Sequence, residues 1–349
     1  MLLPAIVASG FPGKRVAAKR AGIRPTAVMA ASYSIGILPA GMDAPPSGPR
    51  APVVGPVVAV SSNKGGVGKT TLAANLAVYA RALREELPVL IVGLDDQRSL
   101  DRMFGLRPPQ PGEPNLKHAW AERSLTSAIQ LGEYGVHFVP SPPDVSLLKA
   151  RAEDPRALTR ILRQTEWQGL VLLDTKSDLE ALTQNAWYAA DRILVPVADR
   201  ASLEEAGKIF RALERSGLGS ERARVVFSLV DRRARDERGD GLLFDRLAAE
   251  VRRRGWPRYE TAISRSPRVE GLNSGGDKPR SILHCARGTA VHGEMQALCR
   301  ELLRDLAPAL ARVDAAPAPD EAGEGELWGP SRASVKSLLR GPASWFRNR

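Results

Sequence analysis

Short, nearly unbroken apolar runs punctuate this chain, and longer stretches with helical spacing lie between them. The first run, residues 56–61, reads P-V-V-A-V-S and is rich in β-branched residues, which predicts a buried strand. Leu72, Leu76, Tyr79, Ala80 and Leu83 then fall on one face of a helix. Residues 87–94, 136–140, 169–174, 192–197 and 224–230 read as further strands, with a weaker one at 259–263. Between them, 203–215 and 242–254 carry helical patterns. Strands apolar on both faces and alternating with helices predict an α/β fold. The expected sheet is mostly parallel, with about seven or eight strands, and helices cover both its faces. In such sheets ligands sit beyond the carboxyl ends of the strands.

A chain of 349 residues has room for one large domain or two ordinary ones, and a hydrophobic content of 43% supplies a packed core. The two ends differ from the middle. Residues 1–52 carry Lys14, Arg15, Lys19, Arg20 and Arg24 with no acid before Asp43, and they are rich in Ala, Gly and Pro. They read as a low-complexity or disordered extension that loosely resembles a targeting peptide, with Met29 and Met42 as alternative starts. Residues 312–349 read as an acidic linker (Asp314, Asp320, Glu321, Glu324, Glu326) followed by a basic, aromatic tail. The middle, 53–311, is expected to be one globular domain. Cys285 and Cys299 stand in no metal-ligand spacing, which fits a reduced cytoplasmic protein. No apolar stretch reaches the ~18 residues that a membrane span needs.

Between the first strand and the first helix, residues 64–71 read K-G-G-V-G-K-T-T. A strict P-loop, G-x-x-x-x-G-K-[ST], fails here because Asn63 stands where its first glycine belongs. The strand–loop–helix setting nevertheless makes this a phosphate cradle. Gly65, Gly66 and Gly68 allow a sharp turn that brings the backbone N–H groups of residues such as Val67 to phosphate oxygens. The helix N-terminus adds its positive dipole end. Lys69 can reach β and γ phosphates, and Thr70, followed by Thr71, can offer its hydroxyl to Mg²⁺. Nucleotide phosphates and Mg²⁺ are thus the expected ligands. Two strand ends carry carboxylates: Asp95 can orient a water or act on Mg²⁺ through water, and Asp174 can bond to the ion's hydration shell.

The loop resembles the deviant Walker A box of the ParA/MinD family of ATPases. The resemblance covers about 57–305 and implies a P-loop NTPase fold with 53–311 as the ATPase domain. The family's switch I reads D-x-D-P-Q; here Gly93 replaces the first Asp, Asp95 keeps the second, and Asp96 replaces Pro. The resemblance places the hydrolytic role on Asp95 and the Walker B role on Asp174. Switch II, D-T-P-P-S in the family, is D-T-K-S-D here, with Asp174 and Thr175 matching. Residues 181–197 and 261–270 are also similar to family segments. Lys64 has no obvious partner inside one subunit. The resemblance implies that it reaches the phosphates of a partner subunit, so that catalysis draws on Lys64, Lys69 and Asp95, metal binding on Thr70, Asp95 and Asp174, and the protein forms a homodimer in its ATP state.

A net charge of +11 favours anionic partners. Arg232, Arg233 and Arg235, with Arg238 beyond, and then Arg252, Arg253 and Arg254, form clusters suited to nonspecific DNA. ParA-type relatives imply DNA binding and a ParB-like or other cargo adaptor protein, hence a cytoplasmic, nucleoid-associated ATPase that segregates plasmid or chromosome. MinD-type relatives imply a membrane-associated positioning ATPase. Trp328, Trp345 and Phe346 among basic residues would suit membrane contact through the tail, although Gly341-Pro342 breaks a continuous helix. Gly93 leaves room for an ATP-dependent scaffold with weak hydrolysis. A synthetase on the same scaffold would need substrate-binding residues at the strand ends, and no such set is visible.

Overall fold

The computed structural model describes residues 55–95, 99–105, 109–110, 112–142, 144–235, 241–274 and 280–315. The N-terminal extension, nearly all of the C-terminal linker and tail, Asp96 and Arg238 lie outside the described residues. Among the described residues seven strands form one sheet: β1 Val57–Val60, β2 Val89–Gly93, β3 Gln130–Leu131, β4 His137–Val139, β5 Leu170–Asp174, β6 Arg192–Val197 and β7 Ala223–Phe227. Their spatial order is β3-β4-β2-β5-β1-β6-β7, with every pair parallel except β3–β4. The P-loop NTPase architecture read from the sequence is therefore present.

The helices are α1 Lys69–Leu83, α2 Ser99–Met103, α3 Leu116–Glu122, α4 Ala157–Gln164, α5 Ala181–Ala189, α6 Arg200–Arg215, α7 Leu243–Arg253, α8 Pro267–Ser274, α9 Ile282–Cys285, α10 Ala290–Asp305 and α11 Ala307–Asp314. They cover the sheet from two sides. Alternate strand residues point to opposite faces, and the core divides accordingly. Val57, Ala59, Leu90, Val92, Val171 and Leu173 pack with α3 to α7. Val58, Val60, Val89, Ile91, Leu170 and Leu172 pack with α1, α2 and α8 to α11. Both faces being buried is why these strands read as continuous apolar runs rather than as alternating ones.

Register aligns the strand ends that matter. Val60 of β1 and Gly93 of β2 both pair with Asp174 of β5. Beyond the ladder, Leu94 N donates to Asp174 O at 2.8 Å and Ser61 N to Leu194 O at 2.9 Å. The loops after β1, β2 and β5 thus leave the same edge of the sheet side by side.

One expected strand does not form as such. Residues 257–265 run beside β7, joined by Tyr259 N to Val225 O at 3.0 Å and Ile263 N to Phe227 O at 2.8 Å. Only isolated bridges result, Val225 with Arg258 and Val230 with Ser264. Partner offsets of 33 (258 − 225) and 34 (264 − 230) show a one-residue slip between the bridges. Leu229, with φ of 53°, lies inside that interval, so β7 stops at Phe227 instead of continuing to Val230.

Candidate nucleotide site

The loop that joins β1 to α1 turns through Gly66 and Gly68, whose φ values of 75° and 83° are left-handed conformations that side chains resist. Gly68 is the N-cap of α1, and no side chain caps the helix there. The first-turn N–H groups and the positive end of the helix dipole are thereby suited to an anion. Neighbouring elements brace the loop. Ser228 Oγ, just past β7, donates to Val67 O at 2.9 Å. Lys64 N donates to Ser62 Oγ at 3.1 Å, and Trp187 Nε1 of α5 donates to Ser61 Oγ at 2.9 Å.

Four sequence-predicted residues converge at this loop. Asp174, at the end of β5, is 2% exposed. The Thr70 hydroxyl donates to its carboxylate, while Asp174 Oδ1 has no hydrogen-bond partner. Burial pushes the Asp174 carboxyl up to about 7; Thr70 and the Lys69 ammonium oppose that rise, and Asp95 adds to it. Lys69 is itself buried and donates to Ser177 Oγ. Burial lowers its pKa, and the negative charges of Asp174, Asp95 and Asp178 raise it again. Asp95, two residues past β2, is therefore close enough for its charge to act on both Lys69 and Asp174. Thr175 Oγ1 donates to Val60 O at 3.0 Å and locks the start of the Asp174 loop to β1.

Lys64 corrects an expectation: it does have a partner within its own chain. Its ammonium pairs with Asp199, the N-cap of α6, and both side chains are partly exposed. The Asp199 carboxylate also accepts from Ser202 N at 2.8 Å, and Ser202 Oγ accepts from Asp199 N at 2.9 Å, closing a capping box. Desolvation works against this carboxylate, but Lys64 and the Ser202 donors outweigh it and hold its pKa below the usual range. Next to Lys64, Asn63 Nδ2 donates to Glu205 on the same helix. Asp199, Ser177 and Ser228 were not among the expected site residues. Asp199 carries a local signal, an Asp three residues before Ser at the start of a helical pattern; Ser177 and Ser228 reach the loop only through the fold.

The arginine clusters part company. Arg232, Arg233 and Arg235 are exposed and precede α7, whereas Arg252 and Arg253 close that helix and Arg254 follows it. An 11-residue helix puts roughly 16 Å between them at about 1.5 Å per residue. Arg253 pairs with Glu250 at 2.6 Å, and Arg254 pairs with Glu250 and Glu204 while lying over the Trp256 ring at 4.8 Å. Arg232 contacts Glu294 at 3.3 Å but keeps its side chain 55% exposed. Both clusters thus keep exposed arginines, Arg253 with its side chain 73% exposed, whereas Arg254, at 20%, is enclosed by its acidic partners.

Residues 55–215, which contain the whole loop and both carboxylates, match a family model described as an AAA domain. Over 224 residues the chain is 35% identical to the chromosome-partitioning ATPase Soj of Thermus thermophilus, covering 63% of this chain and 85% of that protein. The chain belongs to the ParA family of partition ATPases. The chromosome partitioning protein ParA of Caulobacter vibrioides is 30% identical over 251 residues, 67% of this chain and 90% of that one. Solved structures share the fold at lower identity. Apo McdA from Cyanothece aligns with a TM-score of 0.57 and 16% identity over 71% of this chain and 99% of that one. Cobyrinic acid a,c-diamide synthase from Mycobacterium smegmatis, with bound ATP analogue and magnesium, aligns with a TM-score of 0.55 and 21% identity over 73% and 96%. As a ParA-family ATPase, this chain departs from the pattern at Gly93 and at Lys176-Ser177, both on the edge of the nucleotide site.

Proposed function

We propose that this ParA-family ATPase, with residues 53–311 as its catalytic domain, dimerises on ATP, binds DNA without sequence preference and moves a DNA cargo through an adaptor protein. Hydrolysis is slow until DNA and the adaptor are engaged. The observation that carries this proposal is the convergence of Lys69, Thr70 and Asp95 on buried Asp174 at one end of the P-loop, with Lys64 on its outer edge.

The residues suit a magnesium nucleotide. Asp174 Oδ1 is a buried acceptor without a partner, and the Thr70 hydroxyl lies against the same carboxylate. Both are hard oxygen donors. An ion shared between one or two protein oxygens, water and phosphates is the ordinary arrangement for Mg²⁺. Bound there, Mg²⁺ supplies charge neutralisation at the phosphate oxygens.

The protein's own groups do the rest. Uncapped N–H groups of α1 and the Lys69 ammonium bind the phosphates. Asp95 orients the attacking water. Lys64 exchanges Asp199 for the phosphates of a partner subunit, an electrostatic contribution supplied in trans. Asp199 is a surface partner of modest worth, so this exchange costs little. The exposed Arg232, Arg233 and Arg235 give a phosphate-facing surface, and DNA binding would make the protein nucleoid-associated. Among the described residues no helix is long and apolar enough to cross a membrane.

The test is ATPase turnover with and without duplex DNA. Stimulation by DNA, together with loss of ATP binding in Lys69→Ala, is the expected result; turnover indifferent to DNA and dependent on a small molecule would replace partition with synthetase chemistry.

A further inference from the structure

The end of β2 is one place where this chain departs from its family, because Gly93 takes the place of a carboxylate. A Cβ built at Gly93 would lie 3.1 Å from Leu100 Cδ1 and 3.4 Å from Ser141 Oγ. Leu100 and Ser141 are buried. The volume that a longer side chain would enter is thus taken by α2 and by the loop after β4.

A carboxylate reaches the same corner from another direction. Asp101, the residue after Leu100 on α2, is 1% exposed. Its oxygens accept from Ser141 N at 3.3 and 3.4 Å and from Ser141 Oγ at 3.3 Å. Ser141 is thus the neighbour that a side chain at position 93 would meet and the donor that Asp101 holds. A carboxylate is seldom this buried without a structural task, since leaving water is costly for a charge.

We propose that Asp101 is the relocated carboxylate of switch I: from α2 it ties the loop carrying Asp95 to the carboxyl end of β4, in place of a side chain at position 93. Asp95 and Asp101 bracket that loop. At one end the backbone is fixed by the bond from Leu94 N to Asp174 O; at the other it is fixed by Asp101 on Ser141. Asp95, one residue past the first of these anchors, lies close enough to act on Lys69 and Asp174. Asp101 touches no reacting atom and is a positioning residue. A second carboxylate at position 93 would crowd Leu100 and bring like charges together at one serine.

This inference rests on the ATPase reading, and its test separates the two. ATPase kinetics and ADP affinity are measured for Asp101→Asn, Ser141→Ala and their double variant, and for Gly93→Asp with and without Asp101→Asn. A slack catalytic loop lowers kcat by about tenfold in Asp101→Asn, while KM for ATP and ADP affinity stay within about twofold of wild type. Ser141→Ala acts in the same direction, and the double variant is no worse than the more severe single one, because the two residues form one contact. Gly93→Asp with Asp101→Asn recovers turnover relative to Gly93→Asp alone. Wild-type kcat in both Asp101→Asn and Ser141→Ala overturns the proposal. So does a fall in kcat matched by the loss of ADP affinity, which marks a folding defect. Should Asp101→Asn not fold, Ser141→Ala carries the test. ATP binding by Lys69→Ala would instead overturn the nucleotide site itself, whatever Asp101 does.

Discussion

Asp174 is the most strained charge of the site, a fully buried carboxyl beside Lys69 whose pKa is raised from 3.8 to about 7. A carboxyl whose folded pKa exceeds its unfolded value favours the fold when protonated. That contribution is complete below 3.8 and is lost as pH rises through about 7. Asp174→Asn cannot ionise, so its melting temperature relative to wild type should rise between about pH 6 and about pH 8. Calorimetry on the two proteins at constant ionic strength checks this, and a pH-independent difference would remove the buried charge from the account. At this scale, what the sequence made legible was local. Lys69, Thr70 and their glycines occupy consecutive positions whose spacing alone states the chemistry, and Asp95 and Asp174 follow recognisable strands. The Lys64–Asp199 pair spans 135 positions, and Ser228 meets Val67 across 161. Contacts of that separation exist only after β1, β6 and β7 have paired.

Among the elements, the central strands were readable because both faces of the sheet are covered, which makes β1 and β2 free of polar side chains and β5 and β6 apolar but for Asp174 and Arg192 at their ends. Two-residue β3 left no pattern to read. The segment at 257–265 has strand-like residues, yet the slip around Leu229 denies it a continuous ladder. Phe227 shows how much depends on that corner. It ends β7, is fully buried, and meets the Phe244 ring edge-on at 5.2 Å. The next residue, Ser228, braces the P-loop at Val67. Phe227→Ala should cost about 3–5 kcal/mol, measured by chemical denaturation. It should also weaken ATP binding through Ser228, which a cavity remote from the loop would not do.

For the whole molecule, a net charge of +11 says that anions are favoured but not where. The fold supplies a distinction, since Arg254 is enclosed by Glu250 and Glu204 while Arg232, Arg233 and Arg253 keep exposed side chains. Arg232→Ala with Arg233→Ala should weaken duplex binding severalfold and flatten its salt dependence by about two phosphate contacts. Arg254→Ala should change both less, and fluorescence anisotropy across a salt series reads the difference. In the proposed cycle, Lys64 and Asp95 belong to a two-subunit switch closed by ATP and opened by hydrolysis. Light scattering on Asp95→Ala tests it most directly. The protein should be a stable dimer with ATP and Mg²⁺, a monomer with ADP, and a monomer in both when Lys64→Ala is added. A monomeric Asp95→Ala protein in saturating ATP would contradict the account.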